Sequence, residues 1–177
     1  SGAKSRGWLD YLNIKDFQIF DSVEPNPSME TVEKILSEYN QTFSSVIGLG
    51  GGSSLDVAKF VANKLKTKKI LIPTTFGSGS EVTRISVLQI DGKKTSFHNN
   101  DLFADISIVD PYFIKGAPFE IIKNSAIDAC AQATEAYDSK LTNPYTKLLC
   151  EKAFDILENS ILNQKYEQLP LGSLICG

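Results

Sequence analysis

Val46-Ile47-Gly48-Leu49-Gly50-Gly51-Gly52-Ser53-Ser54-Leu55-Asp56-Val57-Ala58-Lys59 sets the architecture. Val46 to Leu49 form a short apolar run that enters three glycines. Beyond them Leu55, Ala58, Val61, Ala62 and Leu65 recur on one helical face. The stretch therefore reads as strand, tight turn and helix, with Ser53 or Ser54 expected as the N-cap. Downstream, Lys69-Ile70-Leu71-Ile72 is a second short strand, stopped by Pro73. Upstream, Pro25-Asn26-Pro27-Ser28 is a turn, and Ser28 is placed to cap a helix with Val32, Ile35, Leu36 and Tyr39 on one face. Phe17-Gln18-Ile19-Phe20, ended by Asp21 and Ser22, reads as a further strand. Strands alternating with helices over short links specify a parallel sheet.

Past residue 80 the pattern changes twice. Ile85 to Ile90 is expected to pair with Thr95 to Phe97 as a hairpin around Asp91-Gly92. Asp105-Ile106-Ser107-Ile108-Val109 is expected as a buried strand closed by Asp110-Pro111. From Pro118 onward strand signals vanish. Ala126 to Tyr137 is one helix, and Asn143-Pro144 opens another with Leu148, Leu149, Ile156 and Leu157 at helical spacing. The expected fold class is α/β: a Rossmann-like parallel-sheet domain over residues 1–115, then the beginning of an all-helical domain over residues 116–177.

Composition narrows the function. The 177 residues carry 18 Lys plus Arg against 21 Asp plus Glu, a net charge of -3, which speaks against a general nucleic-acid binder. Hydrophobic residues at 42% and charged residues at 22% are those of a globular chain rather than a disordered one. No apolar run approaches the roughly 20 residues that span a bilayer. The N-terminus shows no signal-peptide pattern and does not begin with Met. Cys130, Cys150 and Cys176 are widely spaced, with no C-x-x-C pair, and a cytoplasmic, reducing location is expected. Lys64-Leu65-Lys66-Thr67-Lys68-Lys69 reads as a solvated helix end, and Trp8, Tyr11 and Leu12 as a core-facing helix.

The glycine turn can hold an anion. A helix N-terminus presents unpaired N–H groups and the positive end of the dipole. Glycines let a phosphate or pyrophosphate approach the backbone. The stretch is neither G-x-G-x-x-G nor a P-loop. A second loop, Pro73-Thr74-Thr75-Phe76-Gly77-Ser78-Gly79-Ser80-Glu81, follows the next strand and is dense in hydroxyls. In a parallel sheet both loops belong at the carboxyl edge, where ligands bind. Such a pair suits a dinucleotide: one loop for the pyrophosphate, one for the ring end. The alternative is that these hydroxyls only cap turns.

These motifs, in this order, resemble the iron-containing (group III) alcohol dehydrogenases. The resemblance covers Val46 to Lys59 with the D-x-x-K of Asp56 and Lys59, Ile72 to Thr75, and Gly77 to Thr83. It extends to Val23-Glu24-Pro25-Asn26-Pro27, to the helix Asp128-Ala129-Cys130-Ala131-Gln132-Ala133-Thr134-Glu135-Ala136-Tyr137, and to Leu171 through Gly177. It implies the dehydroquinate-synthase-like architecture. It also implies NAD- or NADP-linked interconversion of a small alcohol with its aldehyde or ketone. The cofactor set it implies is Gly50, Gly51, Gly52, Ser53, Asp56, Thr74, Thr75, Ser78, Val87 and Lys94. Gly51, Gly52 and Ser53 would hold the pyrophosphate, and Thr74, Thr75 and Ser78 the nicotinamide side. The acid that separates NAD from NADP would follow a strand preceding Ser1.

The resemblance also implies a divalent metal, Fe or Zn, bound by Asp128 and by a His where this chain has Gln132, with two further His from later helices. Asp128, Gln132 and Glu135 do fall on one helix face. A Gln offers a neutral oxygen, and imidazole suits Fe and Zn far better. His98, the sole histidine, lies in a polar loop and reads as a solvated residue. One carboxylate does not make a metal site. Without the resemblance, Asp128 and Glu135 read as acids on a solvated helix face. The chain is expected to be a piece of a longer dehydrogenase, a weak metal binder, or a protein that has given up the metal. Alternative functions are a glycerol or glycerol-phosphate dehydrogenase, a phosphonate or sugar aldehyde reductase, and a non-catalytic nucleotide-binding remnant. Expected partners are a small alcohol or aldehyde and a second copy in a homodimer, with neither nucleic acid nor membrane.

Overall fold

The computed structural model describes residues 2–177. Two short helices, α1 (Gly2–Ser5) and α2 (Trp8–Leu12), lead into an extended segment and then α3 (Met29–Glu38). Next come β1 (Ser45–Gly50), α4 (Gly52–Leu65) and β2 (Lys68–Pro73). The hairpin β3 (Ile85–Ile90) and β4 (Lys93–His98) precedes a short β5 (Ile106–Ser107). The chain ends in three helices, α5 (Phe119–Asp138), α6 (Pro144–Leu162) and α7 (Leu169–Cys176).

The β1-α4-β2 unit is the parallel crossover that the glycine stretch implies. β1 and β2 pair in parallel from Ser45 opposite Lys68 to Gly50 opposite Pro73. β5 joins the far side of β2, also in parallel, with Ile70 opposite Ile106. The order β1-β2-β5 makes a three-stranded sheet, with the hairpin as a separate two-stranded one. In the hairpin, Ser86 and Leu88 face inward, buried, while Val87 and Gln89 share the other face with Ser96 and Lys94. Asp91 and Gly92 both take positive φ at its tip, as a tight turn of this type requires.

Ser28 caps α3 by accepting from Thr31 N, and Asn143 caps α6 by accepting from Thr146 N, with Pro144 in the first turn. Three expectations need correction. Phe17 to Phe20 is not a strand. It is an extended segment laid along α3, held by the Tyr39 hydroxyl donating to Ile19 O at 2.8 Å. Asp105 to Val109 is not buried: only Ile106 and Ser107 pair, and both are exposed, because β5 is a sheet edge. Neither Ser53 nor Ser54 caps α4; the helix starts at Gly52 with Gly51 as a cap that has no side chain to contribute.

The largest buried cluster joins sheet and helices. It holds Trp8, Ile72, Phe76, Phe113, Ile122, Ala129, Leu157 and Leu169. A second cluster packs α3 against α4 and the hairpin through Val32, Ile35, Val57, Phe60, Val61 and Leu88. Cys130, Cys150 and Cys176 are free thiols. Among the described residues no helix is long and apolar enough to cross a membrane.

Candidate functional site

The register of β1 on β2 puts the ends of both strands at one rim. Gly50 stands opposite Pro73, and Thr74 N donates to Gly50 O at 2.9 Å. The two loops thus meet at the carboxyl edge of the sheet, where a ligand is reached in this architecture. Gly51 O accepts from Ser54 N at 2.9 Å and Leu55 N at 3.1 Å. That leaves the N–H groups of Gly52 and Ser53 without an intrahelical acceptor, at the positive end of a 14-residue helix.

The glycines are required by what lies against them. A Cβ on Gly51 would stand 2.9 Å from Thr75 Oγ1, and one on Gly52 would stand 3.0 Å from Ser78 Oγ. Two hydroxyls therefore lean on the backbone of the helix start, and the missing side chains make room for them. Thr74 is buried beneath the rim; Thr75 and Ser78 are partly exposed at it. Of the residues singled out from sequence, the structure brings together Gly50, Gly51, Gly52, Ser53, Thr74, Thr75 and Ser78. Val87 and Lys94 lie on one face of the hairpin, Val87 half-buried and Lys94 exposed.

Asp56 turns its carboxylate toward the hydroxyl loop and the hairpin. Its Oδ1 accepts from Ser80 Oγ at 2.7 Å and its Oδ2 from Val87 N at 3.0 Å. Both carboxylate oxygens thus bind protein. Burial raises its pKa, against the pull of Ser80, Val87 and Lys59. Lys59, read from sequence only as a motif member, is fully buried. Its Nζ donates to Ile85 O at 2.6 Å and Thr83 Oγ1 at 3.4 Å, and lies 3.8 Å from Asp56 Oδ1. Burial lowers its pKa to about 8, partly offset by Asp56 and Glu81. Glu81 is buried too, with its pKa raised by that burial. The i, i+3 spacing of Asp56 and Lys59 on a helix whose neighbouring positions are apolar was the available signal for this cluster.

The helical side reaches the rim through α5. Gln132 Nε2 donates to Gly77 O at 2.5 Å. A Cβ on Gly77 would stand 2.9 Å from Asp128 Oδ2, so the hydroxyl loop lies directly on this helix. Among the described residues the donor set falls short of a complete one for Fe or Zn. Gln132 has only a neutral Oε1 to offer where imidazole suits Fe and Zn, Asp128 and Glu135 are exposed, and His98 is exposed at the end of β4. Among the described residues no group of three or more His, Cys, Asp or Glu is placed to hold a metal. Burial pushes the Cys176 thiol up to about 11 and raises Cys130 as well. A shallow hollow of about 410 Å³ lined by Arg6, Trp8, Tyr112, Lys115 and Gly116 includes none of these residues.

A parallel β-α-β rim with a glycine-led helix beside a hydroxyl loop defines an α/β protein whose ligand-accessible edge lies at the carboxyl ends of its strands. Known proteins narrow this. The sequence profile described as iron-containing alcohol dehydrogenase matches residues 7–111, and the chain belongs to that family. It is 34% identical over 155 residues to 4-hydroxybutyrate dehydrogenase of Clostridium kluyveri, covering 77% of this chain and 42% of that protein. It is 36% identical over 165 residues to long-chain-alcohol dehydrogenase 1 of Geobacillus thermodenitrificans, covering 81% and 42%. The crystal structure of an iron-containing alcohol dehydrogenase from Thermotoga maritima superposes with a TM-score of 0.91 at 30% identity, over 99% of this chain and 57% of that one. Sulfoacetaldehyde reductase from Bifidobacterium kashiwanohense, solved in complex with NAD+, gives 0.85 at 25% identity, over 99% and 55%. The chain thus spans about half the length of the relatives it matches.

Proposed function

We infer that the protein binds NAD or NADP and serves the interconversion of a small alcohol with its aldehyde or ketone. The observation that carries this reading is the rim itself: open N–H groups of Gly52 and Ser53 with the Thr75 and Ser78 hydroxyls packed against the glycine turn. The N–H groups and the helix dipole would neutralise a pyrophosphate. Gly50 and Gly51 would let it approach. Thr74, Thr75 and Ser78 would orient the nicotinamide end, with Val87 and Lys94 contributing from the hairpin. Asp56 would act by holding Ser80 and Val87 in place. A bound nicotinamide would supply hydride to a carbonyl carbon or accept it from an alcohol carbon. Residues 1–115 would be the nucleotide domain and residues 116–177 the start of the helical, substrate-side domain. A relative solved with NAD+ supports the cofactor class, and relatives named for 4-hydroxybutyrate and long-chain alcohols support the substrate class. No step is assigned to Fe or Zn, because the described residues bring together no group of three or more His, Cys, Asp or Glu.

Titration with NADH and NADPH, followed by nucleotide fluorescence, tests the reading. The intact protein should saturate with at least one of them. Gly52→Val should abolish the signal, since its side chain would be driven onto Ser78 Oγ. Binding to neither nucleotide, or full binding by Gly52→Val, would overturn the assignment. Turnover with a panel of alcohols and aldehydes then identifies the substrate.

A further inference from the structure

Three ionisable side chains are enclosed where α4, the hydroxyl loop and the hairpin meet: Asp56, Lys59 and Glu81. They come from two segments far apart in sequence, yet their bonds run one way. Every acceptor that Lys59 engages by hydrogen bond lies in residues 83–85, and both side-chain donors and backbone donors to the Asp56 carboxylate lie at residues 80 and 87. Ser86 Oγ adds a bond to the main-chain oxygen of Asp56 at 3.0 Å. The first two turns of α4 therefore hold residues 80, 83, 85, 86 and 87. That segment joins the end of the hydroxyl loop to the first residues of β3, and it has few regular hydrogen bonds of its own before Ile85. α4 also carries the glycine turn at its N-terminus. One rigid helix thus fixes both the turn and the loop beside it.

We propose that Lys59 is a positioning residue for nucleotide binding: its buried ammonium pins Thr83 and Ile85 so that the hydroxyl loop and the hairpin face keep their spacing from the Gly51–Gly52 turn. This rests on the nucleotide reading above. A second feature separates placement from stability. Among the described residues Lys59 is the one cation facing Asp56 and Glu81, and Glu81 Oε1 is buried without a hydrogen-bond partner. Lys59 therefore has two duties. Its charge offsets two buried carboxyl groups, and its N–H groups hold the loop. Removing it would leave carboxylates uncompensated in the interior, which is costly whatever the loop does. Removing one carboxylate charge as well would ease that cost without restoring any donor to Thr83 or Ile85.

The test uses the intact protein, Lys59→Met, the double variant Lys59→Met/Glu81→Gln, and Asn143→Ala as a destabilised control at the start of α6, away from the rim. Affinities for NADH and NADPH, melting temperature and residue-resolved amide exchange are measured on each. Lys59→Met should weaken binding about tenfold, the size of effect a residue that touches no ligand exerts through the elements it holds. Its exchange should accelerate over residues 80–87 more than over α5. The double variant should regain melting temperature but not affinity, and Asn143→Ala should lose melting temperature while keeping affinity. Three results would overturn the proposal: unchanged affinity in Lys59→Met, affinity regained together with stability in the double variant, or exchange that rises uniformly along the chain. If the wild-type protein binds neither nucleotide, the nucleotide reading fails and the proposal falls with it; the exchange pattern then reports only whether Lys59 holds the loop.

Discussion

Lys59 is a base held where water does not reach. Its pKa falls from the ordinary 10.5 to about 8 because burial disfavours the ammonium more than Asp56 and Glu81 favour it. The unfolded chain then binds more protons than the folded one between those two values, so this residue's contribution to stability rises with pH across that window. The expected outcome is a denaturation midpoint that climbs between about pH 8 and 10 in the wild type relative to Lys59→Met. A relative midpoint that falls over the same range would mean that the carboxylates hold the proton more strongly than burial expels it. Single residues were the least legible part of the sequence. Asp56 and Lys59 stood out as a motif, but their partners sit 24 to 31 positions away and appear only when the hairpin folds back on α4. Gln132 is the sharper case. The residue type argued against Fe or Zn, but its bond to Gly77, 55 positions away, leaves no trace in periodicity.

Elements were legible where local chemistry alone fixes them. The glycine run, the Asp91-Gly92 turn and the caps at Ser28 and Asn143 all work within a few residues, and each forms as its residues require. Asn143 Oδ1 accepts from Thr146 N at 3.0 Å and starts a 19-residue helix. Asn143→Ala should cost about 1 kcal/mol in urea unfolding, and Asn143→Gly only a few tenths. Equal losses from both would show that the cap bond contributes nothing. Elements that depend on a neighbour were misread. An apolar run such as Phe17 to Phe20 becomes a strand only if another strand offers its hydrogen-bonding edge. Here the segment meets α3 instead, with Phe20 packed into the cluster around Val32 and Ile35. β5 is shortened for a related reason: it pairs with β2 on one side only. The α4 cap shows the third kind of error. A serine beside a helix start is usually its cap, but a cap without a side chain leaves the N–H groups open, and that opening is what an anion would use.

At the scale of the whole molecule, the change in texture near residue 115 was plain in the sequence, whereas the way the two parts share one interior was not. Leu157 of α6 has no exposed surface and lies in one cluster with Ile72 of β2, Phe76 of the hydroxyl loop and Phe113. Phe76 is flanked by Thr75 and Gly77, the residues that meet the glycine turn and α5. The floor of the rim is therefore packed from both parts, and neither can lose its half of the core alone. Leu157→Ala removes a fully buried side chain and should destabilise by about 2–5 kcal/mol. Because the cluster spans both parts, β1, β2, α5 and α6 should unfold in one transition in the wild type and in this variant. Residue-resolved exchange or circular dichroism with near- and far-ultraviolet probes checks this. Coincident midpoints at every denaturant concentration are expected. Two separated transitions, with the sheet surviving the loss of the helices, would show that the Leu157 contacts do not couple the two parts.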